Sequence, residues 1–158
     1  MIRPATAHDV SAIAEIAVES TLFAAGDVGI VSAMMTEYFG GNMAQSHGCV
    51  VADTGDGPHA VVYFRPAEET DRTWYLTMIA VRRGRQRTGL GAALMQHVEG
   101  VLRRGGERLL LVETSATATF DGTRAFYRRL GYAEEARVRD YYAEGDDMVL
   151  FRKALASV

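Results

Sequence analysis

One stretch limits what this chain can become more than any other: residues 74–104 read as a strand, a basic turn and a helix in direct succession. Trp74, Tyr75, Leu76, Thr77, Met78, Ile79, Ala80 and Val81 form a run of aromatic, β-branched and apolar residues. That length and composition suit a buried strand. The turn carries Arg82, Arg83, Gly84, Arg85, Gln86, Arg87, Thr88, Gly89, Leu90 and Gly91. From about Thr88 a helix is predicted, because Leu90, Ala93, Leu94, His97, Val98, Val101 and Leu102 recur on one face at the helical period. Gly105 and Gly106 end it, as glycine past a helix terminus commonly does.

The chemistry of such a turn is anion binding. A helix start offers N–H groups without intrahelical partners, and the helix dipole adds partial positive charge. Gly89 and Gly91 have no side chain to block approach to the backbone, and Arg82, Arg83, Arg85 and Arg87 surround the turn. A phosphate or pyrophosphate is the natural guest; a capped turn with solvated arginines is the plainer alternative. Two phosphate motifs fail here. In a P-loop pattern Gly84 and Gly89 have the spacing, but Leu90 stands where lysine is required. In a dinucleotide fingerprint begun at Gly89 and Gly91 the third glycine is replaced by Leu94.

At 158 residues the chain is expected to be a single domain, 1–158, with a full core. Seventeen basic and 20 acidic residues leave a net charge of −3, which argues against nucleic acid as the main partner. Cys49 is the only cysteine, so no disulfide framework or cysteine-rich metal site is expected. In its apolar run Cys49 reads as a small buried hydrophobe. His47, His59 and His97 lack metal-site spacing, and no metal is expected. No apolar stretch is long enough to span a membrane, and the N-terminus lacks the pattern of a signal peptide. A cytoplasmic location is therefore the expectation.

Around this centre the chain reads in order. Residues 1–5 are a short edge strand, with Pro4 closing it. Thr6 and Asp9 form a capping box for a helix running to about Phe23 that buries Val10, Ile13, Ile16 and Ala17. Gly26 and Gly29 interrupt, and a second helix spans roughly residues 30–39. Residues 48–53 and 59–65 form an antiparallel hairpin about the turn at 54–58. Residues 108–114, apolar at consecutive positions, are a buried strand that a strand-helix-strand unit sets parallel to 74–81. Thr123, Phe126, Tyr127 and Leu130 mark a short helix ended by Gly131. Strands at 132–138 and 148–152, joined by a loop over 140–147, complete an α/β order of β-α-α-β-β-β-α-β-α-β-β.

Gln86, Gly89 and Gly91, spaced Q-x-x-G-x-G directly after Ile79, Ala80 and Val81, resemble the acetyl-CoA pyrophosphate loop of the GNAT superfamily of N-acetyltransferases. Residues 123–132, with Phe126-Tyr127 before Gly131-Tyr132, resemble the closing helix of that family. Asp140, Tyr141 and Tyr142 before the last strand resemble one branch of it. The resemblance covers roughly residues 74–153. It implies a mixed, mostly antiparallel sheet of about seven strands flanked by about four helices. Three positions depart from it. Arg83 stands where many members have proline and Arg87 where many have glycine, while Phe120 replaces an asparagine that contacts the cofactor.

What the resemblance implies is transfer of an acetyl group from acetyl-CoA to a primary amine, by direct attack in a ternary complex without metal. The backbone of Ile79, Ala80 and Val81 would hold pantetheine. Gln86, Arg87, Thr88, Gly89, Leu90, Gly91 and Ala92 would hold the pyrophosphate, with Thr123 also on the cofactor. Tyr127 is the expected general acid for the departing thiolate, since a phenol holds its proton at neutral pH; packing alone is the alternative. Glu113, near the end of a predicted strand, is the expected base; a structural carboxylate is the alternative. Glu37, Asp140, Tyr141 and Tyr142 are expected on the acceptor side. A small-molecule amine, a protein N-terminus or a lysine each suits that side, and the resemblance leaves room for a homodimer. A non-catalytic acyl-CoA binder of the same fold and a binder of another phosphate ligand are the competing classes.

Overall fold

The computed structural model describes residues 1–20 and 28–155. Its strands are β1 (Ile2–Pro4), β2 (Gly48–Asp53), β3 (Pro58–Pro66), β4 (Thr73–Val81), β5 (Leu109–Ser115), β6 (Ala133–Ala143) and β7 (Asp146–Ala154). Its helices are α1 (Val10–Glu19), α2 (Val28–Gly40), α3 (Leu90–Arg104) and α4 (Asp121–Arg129). The element order is the one the sequence predicts. The seven strands form one open sheet in the order β1-β2-β3-β4-β5-β7-β6. β4 and β5 run parallel, as a strand-helix-strand unit requires. The pairs β1–β2, β2–β3, β5–β7 and β7–β6 are antiparallel.

The chain divides into two compact units, Met1–Pro66 with Thr77–Gly100 and Ala67–Leu76 with Val101–Val158. In the first, Ile13, Ile16 and Ala17 of α1 and Val31, Met35 and Tyr38 of α2 share a core with Cys49, Val51, Val61, Tyr63, Met78 and Ala80. The strand residues alternate, so each of β2, β3 and β4 gives one face to this core. Cys49 is buried, and burial pushes its thiol up to about 12, so it stays a protonated, inert thiol. The α1 entrance forms as Thr6 and Asp9 predict. The Asp9 carboxylate accepts the Thr6 N–H at 2.7 Å and the Thr6 hydroxyl at 3.0 Å. It also binds the Arg3 guanidinium at 2.8 and 3.0 Å, a pairing across β1 that no local pattern announces.

Several expectations are corrected. The first helix ends at Glu19, and Phe23 and Gly26 lie outside the described residues. Gly29 is inside α2 rather than between helices. The buried stripe of α3 is Leu94, Met95, Val98, Glu99 and Leu102, while Val101 is exposed. The helix is therefore rotated from the expected face toward Met95 and Glu99, because a glutamate pattern reads as solvent and here it is not. The predicted loop over 140–147 is almost all strand. β6 continues to Ala143, pairs there with Asp146, and leaves only Glu144 and Gly145 as the turn.

Candidate active site

The loop after β4 is fastened at its base. Arg82 N–H donates to the His59 carbonyl at 2.8 Å, which holds the end of β4 against β3. The Arg82 guanidinium donates to Glu19 at 2.7 Å, and Glu19 also accepts the Arg83 N–H at 3.3 Å. Glu15 lies 3.8 Å from the same guanidinium. Arg82 is thus an anchor held by the last turns of α1, not one of the arginines offered to an anion. Arg83, Arg85 and Arg87 are exposed and form no ion pair among the described residues.

Beyond the anchor the loop makes one 3-10 turn over Arg83–Arg85 and then two left-handed steps. Arg87 has φ of 62° and Gly89 φ of 88°. The Thr88 hydroxyl caps the Arg85 carbonyl, and the Gln86 amide donates to the Val81 carbonyl at 3.3 Å. The first helical bond of α3 is Ala93 N–H to Gly89 O at 2.9 Å. The N–H groups of Gly89, Leu90, Gly91 and Ala92 therefore have no carbonyl one turn back. They begin the helix at its positive end, next to three exposed arginines. On β4, Thr77 is exposed and Ile79 and Val81 are half-buried, whereas Met78 and Ala80 turn into the core. Glu37 is exposed on α2.

In the second unit, β4 and β5 pair over Thr73–Leu76 and Leu109–Val112. The next residue, Glu113, is exposed, correcting the buried reading of this end of the strand. Glu113 pairs with Leu150 of β7, and Val112 pairs with Phe151. Tyr127 of α4 lies against Phe151 with ring centroids 5.5 Å apart, and against Tyr132 at 5.8 Å. It is 3% exposed, and burial pushes its phenol well above the usual tyrosine range, so it keeps its proton. Thr123 is half-buried one turn earlier on the same helix.

Arg124, which no sequence pattern singled out, ties α4 to the end of β5. Its guanidinium donates to the carbonyls of Ser115 at 2.6 Å and Thr117 at 2.9 Å, and pairs with Asp121. The Ser115 hydroxyl in turn donates to Asp146 at 2.5 Å. This buried arginine fixes the helix that carries Tyr127 to the strand that carries Glu113. Phe120 sits at the N-cap of α4 and caps it with no side-chain bond.

Tyr141 and Tyr142 are on strand β6, in an irregular segment between Val138 and Ala143. Their rings meet edge to face at 4.9 Å. Asp140 turns the segment with φ of 55°, gives its N–H to Asp147 at 2.9 Å, and accepts the Gly145 N–H at 2.8 Å. Tyr142 is pushed up to about 12, first by burial and then by the charge of Glu113. The phenol of Tyr142 and the carboxylate of Glu113 thus share one electrostatic neighbourhood. Among the described residues no group of His, Cys, Asp and Glu is arranged to hold a metal ion. Nor is any helix of those residues long and apolar enough to cross a membrane.

The exposed, basic start of α3 after β4 is suited to hold an anion. The family model for the acetyltransferase (GNAT) domain matches residues 45–134, more than half of the chain. The chain belongs to the GNAT acetyltransferase family, which implies acyltransferase activity. Its structure is similar to that of a protein assigned to this family from Desulfovibrio desulfuricans, with a TM-score of 0.93, 29% identity and 99% of each chain covered. It also resembles the ribosomal-protein-S18-alanine N-acetyltransferase of Escherichia coli, with a TM-score of 0.79, 21% identity, and 100% and 95% of the two chains covered. An aminoglycoside 6'-N-acetyltransferase complexed with coenzyme A gives a TM-score of 0.77 at 14% identity, covering 100% and 98%. The last two likenesses speak to the fold alone. No curated protein sequence matches the chain significantly.

Proposed function

We propose that the protein, acting as one domain over residues 1–158, is an N-acetyltransferase that moves an acetyl group from acetyl-CoA to a primary amine by direct attack in a ternary complex. The observation that carries this reading is the loop before α3. Four helix-start N–H groups without intrahelical acceptors and three exposed arginines without ion pairs among the described residues suit a pyrophosphate. Gln86, Arg87, Thr88, Gly89, Leu90, Gly91 and Ala92 would bind that group. The backbone of Ile79, Ala80 and Val81 would hold the pantetheine, and Thr123 would contact the cofactor from α4. Bound acetyl-CoA supplies an activated acyl group on a thiolate leaving group.

The chain's own residues then have distinct tasks. Glu113 accepts the proton of the amine, directly or through water, because an ammonium of pKa ~10 cannot attack while protonated. An N–H of residues 79–81 donates to the thioester oxygen as charge develops there. Tyr127 gives its proton to the departing sulfur. The new C–N bond forms as the C–S bond breaks. The ammonium gives up two protons, one to Glu113 before attack and one from the acylated nitrogen that restores the Tyr127 phenol after Tyr127 has protonated the departing thiolate. Glu37, Tyr141 and Tyr142 meet the acceptor, a small amine or a protein amine, and Asp140 fixes the bulge that presents the two tyrosines.

Calorimetric titration with acetyl-CoA, with ATP as the control, tests the cofactor. Saturable binding of acetyl-CoA but not ATP is expected, followed by amine-dependent release of free thiol. Absence of binding by a folded, ligand-free protein would overturn the proposal. Binding without thiol release across a broad amine panel would reduce the protein to an acyl-CoA binder.

A further inference from the structure

We propose, resting on the cofactor reading above, that Glu19 is a positioning residue for the loop before α3 and holds that loop in the form that receives an anion. The charges run against the expected ligand. Glu15 and Glu19 stand on the last turns of α1, beside a loop suited to pyrophosphate. A carboxylate there repels an anion, and by pairing with Arg82 it withholds a cation as well. Its presence calls for a reason other than charge.

Packing does not hold the loop. Every residue from Arg83 to Gly89 is exposed, so the shape depends on hydrogen bonds. Those bonds advance three residues at a time. Arg85 N–H donates to the Arg82 carbonyl at 2.8 Å, and the Thr88 hydroxyl donates to the Arg85 carbonyl. Thr88 delivers the chain to Gly89, whose carbonyl accepts the first helical bond of α3 at 2.9 Å. The series starts at Arg82, and Glu19 grips it there from 63 positions away. One Glu19 oxygen accepts the Arg82 guanidinium at 2.7 Å, and the other accepts the Arg83 N–H at 3.3 Å. A single carboxylate thus fixes a side chain and the next backbone N–H together, and so sets the direction in which the loop leaves β4. Glu19 is itself well placed to hold, because Ile13, Ile16 and Ala17 bury α1 completely. A group on a packed helix keeps its position better than one on a loop. Glu15 differs: it is 67% exposed, lies 3.8 Å from the same guanidinium, and accepts no hydrogen bond from the loop among the described residues.

The two carboxylates supply the test, because position and charge predict opposite signs. Glu19→Ala removes a negative charge and frees Arg82, so charge alone would tighten acetyl-CoA binding. With the grip lost, the ligand must order the loop, and affinity by calorimetry is expected to fall about ten-fold. Glu15→Ala removes the same charge without touching the loop, and is expected to stay within about two-fold of wild type. Glu19→Gln keeps one of the two acceptor oxygens and is expected to fall between wild type and Glu19→Ala. Turnover at saturating acetyl-CoA is expected to hold in each, since Glu19 touches no reacting group, so the loss falls on KM for acetyl-CoA. Amide hydrogen exchange in the ligand-free protein is the second readout. Residues 83–92 are expected to exchange faster in Glu19→Ala than in wild type, with α1 protection and the melting temperature unchanged. Tighter or unchanged acetyl-CoA binding by either Glu19 variant, or unchanged exchange of the loop, would overturn the proposal. A wild type that binds no acetyl-CoA would overturn the function proposed above, and the exchange comparison would still decide whether Glu19 holds the loop.

Discussion

Tyr127 and Glu113 lie on opposite faces of the same sheet. Tyr127 packs on Phe151, which is paired with Val112. Glu113 is the next residue along β5 and is paired with Leu150, so by the alternation of a strand it points the other way. In the proposed reaction Tyr127 would donate from behind the sheet and Glu113 would accept in front of it, with the amine arriving from one side and the thiolate departing toward the other. The separation also means the two groups can be tested independently, because neither packs on the other.

Tyr127→Phe is expected to lower turnover by about 10²- to 10⁴-fold, the range of a lost general acid, with acetyl-CoA affinity unchanged. The ring fills the same space against Phe151 and Tyr132, so the melting temperature is expected to hold. Because burial raises the Tyr127 phenol above its ordinary range, the wild-type rate is expected not to fall through loss of this proton until well above pH 10. Steady-state rates of thiol release against pH, beside calorimetric affinities, check both points. Unchanged turnover in the variant would return Tyr127 to a packing role.

Glu113→Gln keeps the shape of an exposed side chain and is expected to leave stability within about 0.5 kcal/mol. The rate at neutral pH is expected to drop, and to recover as pH rises and the amine substrate loses its proton unaided. The same substitution removes the charge beside Tyr142, so the Tyr142 phenol is expected to titrate below its wild-type position near 12. Ultraviolet titration of the tyrosines reads this without any assay of activity. A rate profile identical to wild type at every pH would place the base elsewhere.

What the sequence announced and what it hid divide along a physical line. The strand, turn and helix at 74–104 were legible because hydrophobic period and glycine placement are local properties. The order of the elements along the chain followed for the same reason. The rotation of α3 was not legible, since Glu99 is 2% exposed and a buried glutamate breaks the rule that charge marks the solvent face. β6 was read short because a strand exposed on both faces has no burial pattern to display. Arg124 and Glu19 were missed because their partners, the Ser115 carbonyl and Arg82, are set by tertiary contact and carry no spacing signal.

The departure at Arg87 acquires a reason from the backbone. Its φ of 62° is the left-handed region, which costs a residue with a Cβ about 1 kcal/mol and glycine nothing. The resemblance places glycine there in many members. Arg87→Gly is expected to relieve that strain and, after the greater entropy of an unfolded glycine, to stabilise by about 0.5 kcal/mol. It also removes one of three exposed cations at the loop, so acetyl-CoA affinity is expected to weaken a few-fold, more at low salt than at high. Urea midpoints and calorimetry at two ionic strengths separate the two effects. A destabilised variant would show that the side chain of Arg87, and not only its charge, holds the loop.

The ion-pair network at the start of the chain sets the acid limit of the fold. Asp9 is held at about 2, below the ordinary carboxyl value of 3.8, first by the Arg3 guanidinium and then by the N–H and hydroxyl of Thr6, against the opposing cost of burial. A carboxyl with a depressed folded pKa contributes stability that is fully present above its unfolded value and is lost as pH falls through the folded one. The window is therefore roughly pH 4 down to pH 2, and the amount is about 2 kcal/mol. Asp9→Asn removes the charge, leaves Arg3 with only Asp53 at 2.9 Å, and is expected to lower stability by about 2 kcal/mol at pH 7. Its urea midpoint is expected to fall less steeply than that of the wild type between pH 4 and pH 2, so the two curves converge in acid. Parallel curves over that interval would show that Asp9 titrates in the folded protein as it does in the unfolded chain, and that the Arg3 pairing contributes geometry without charge.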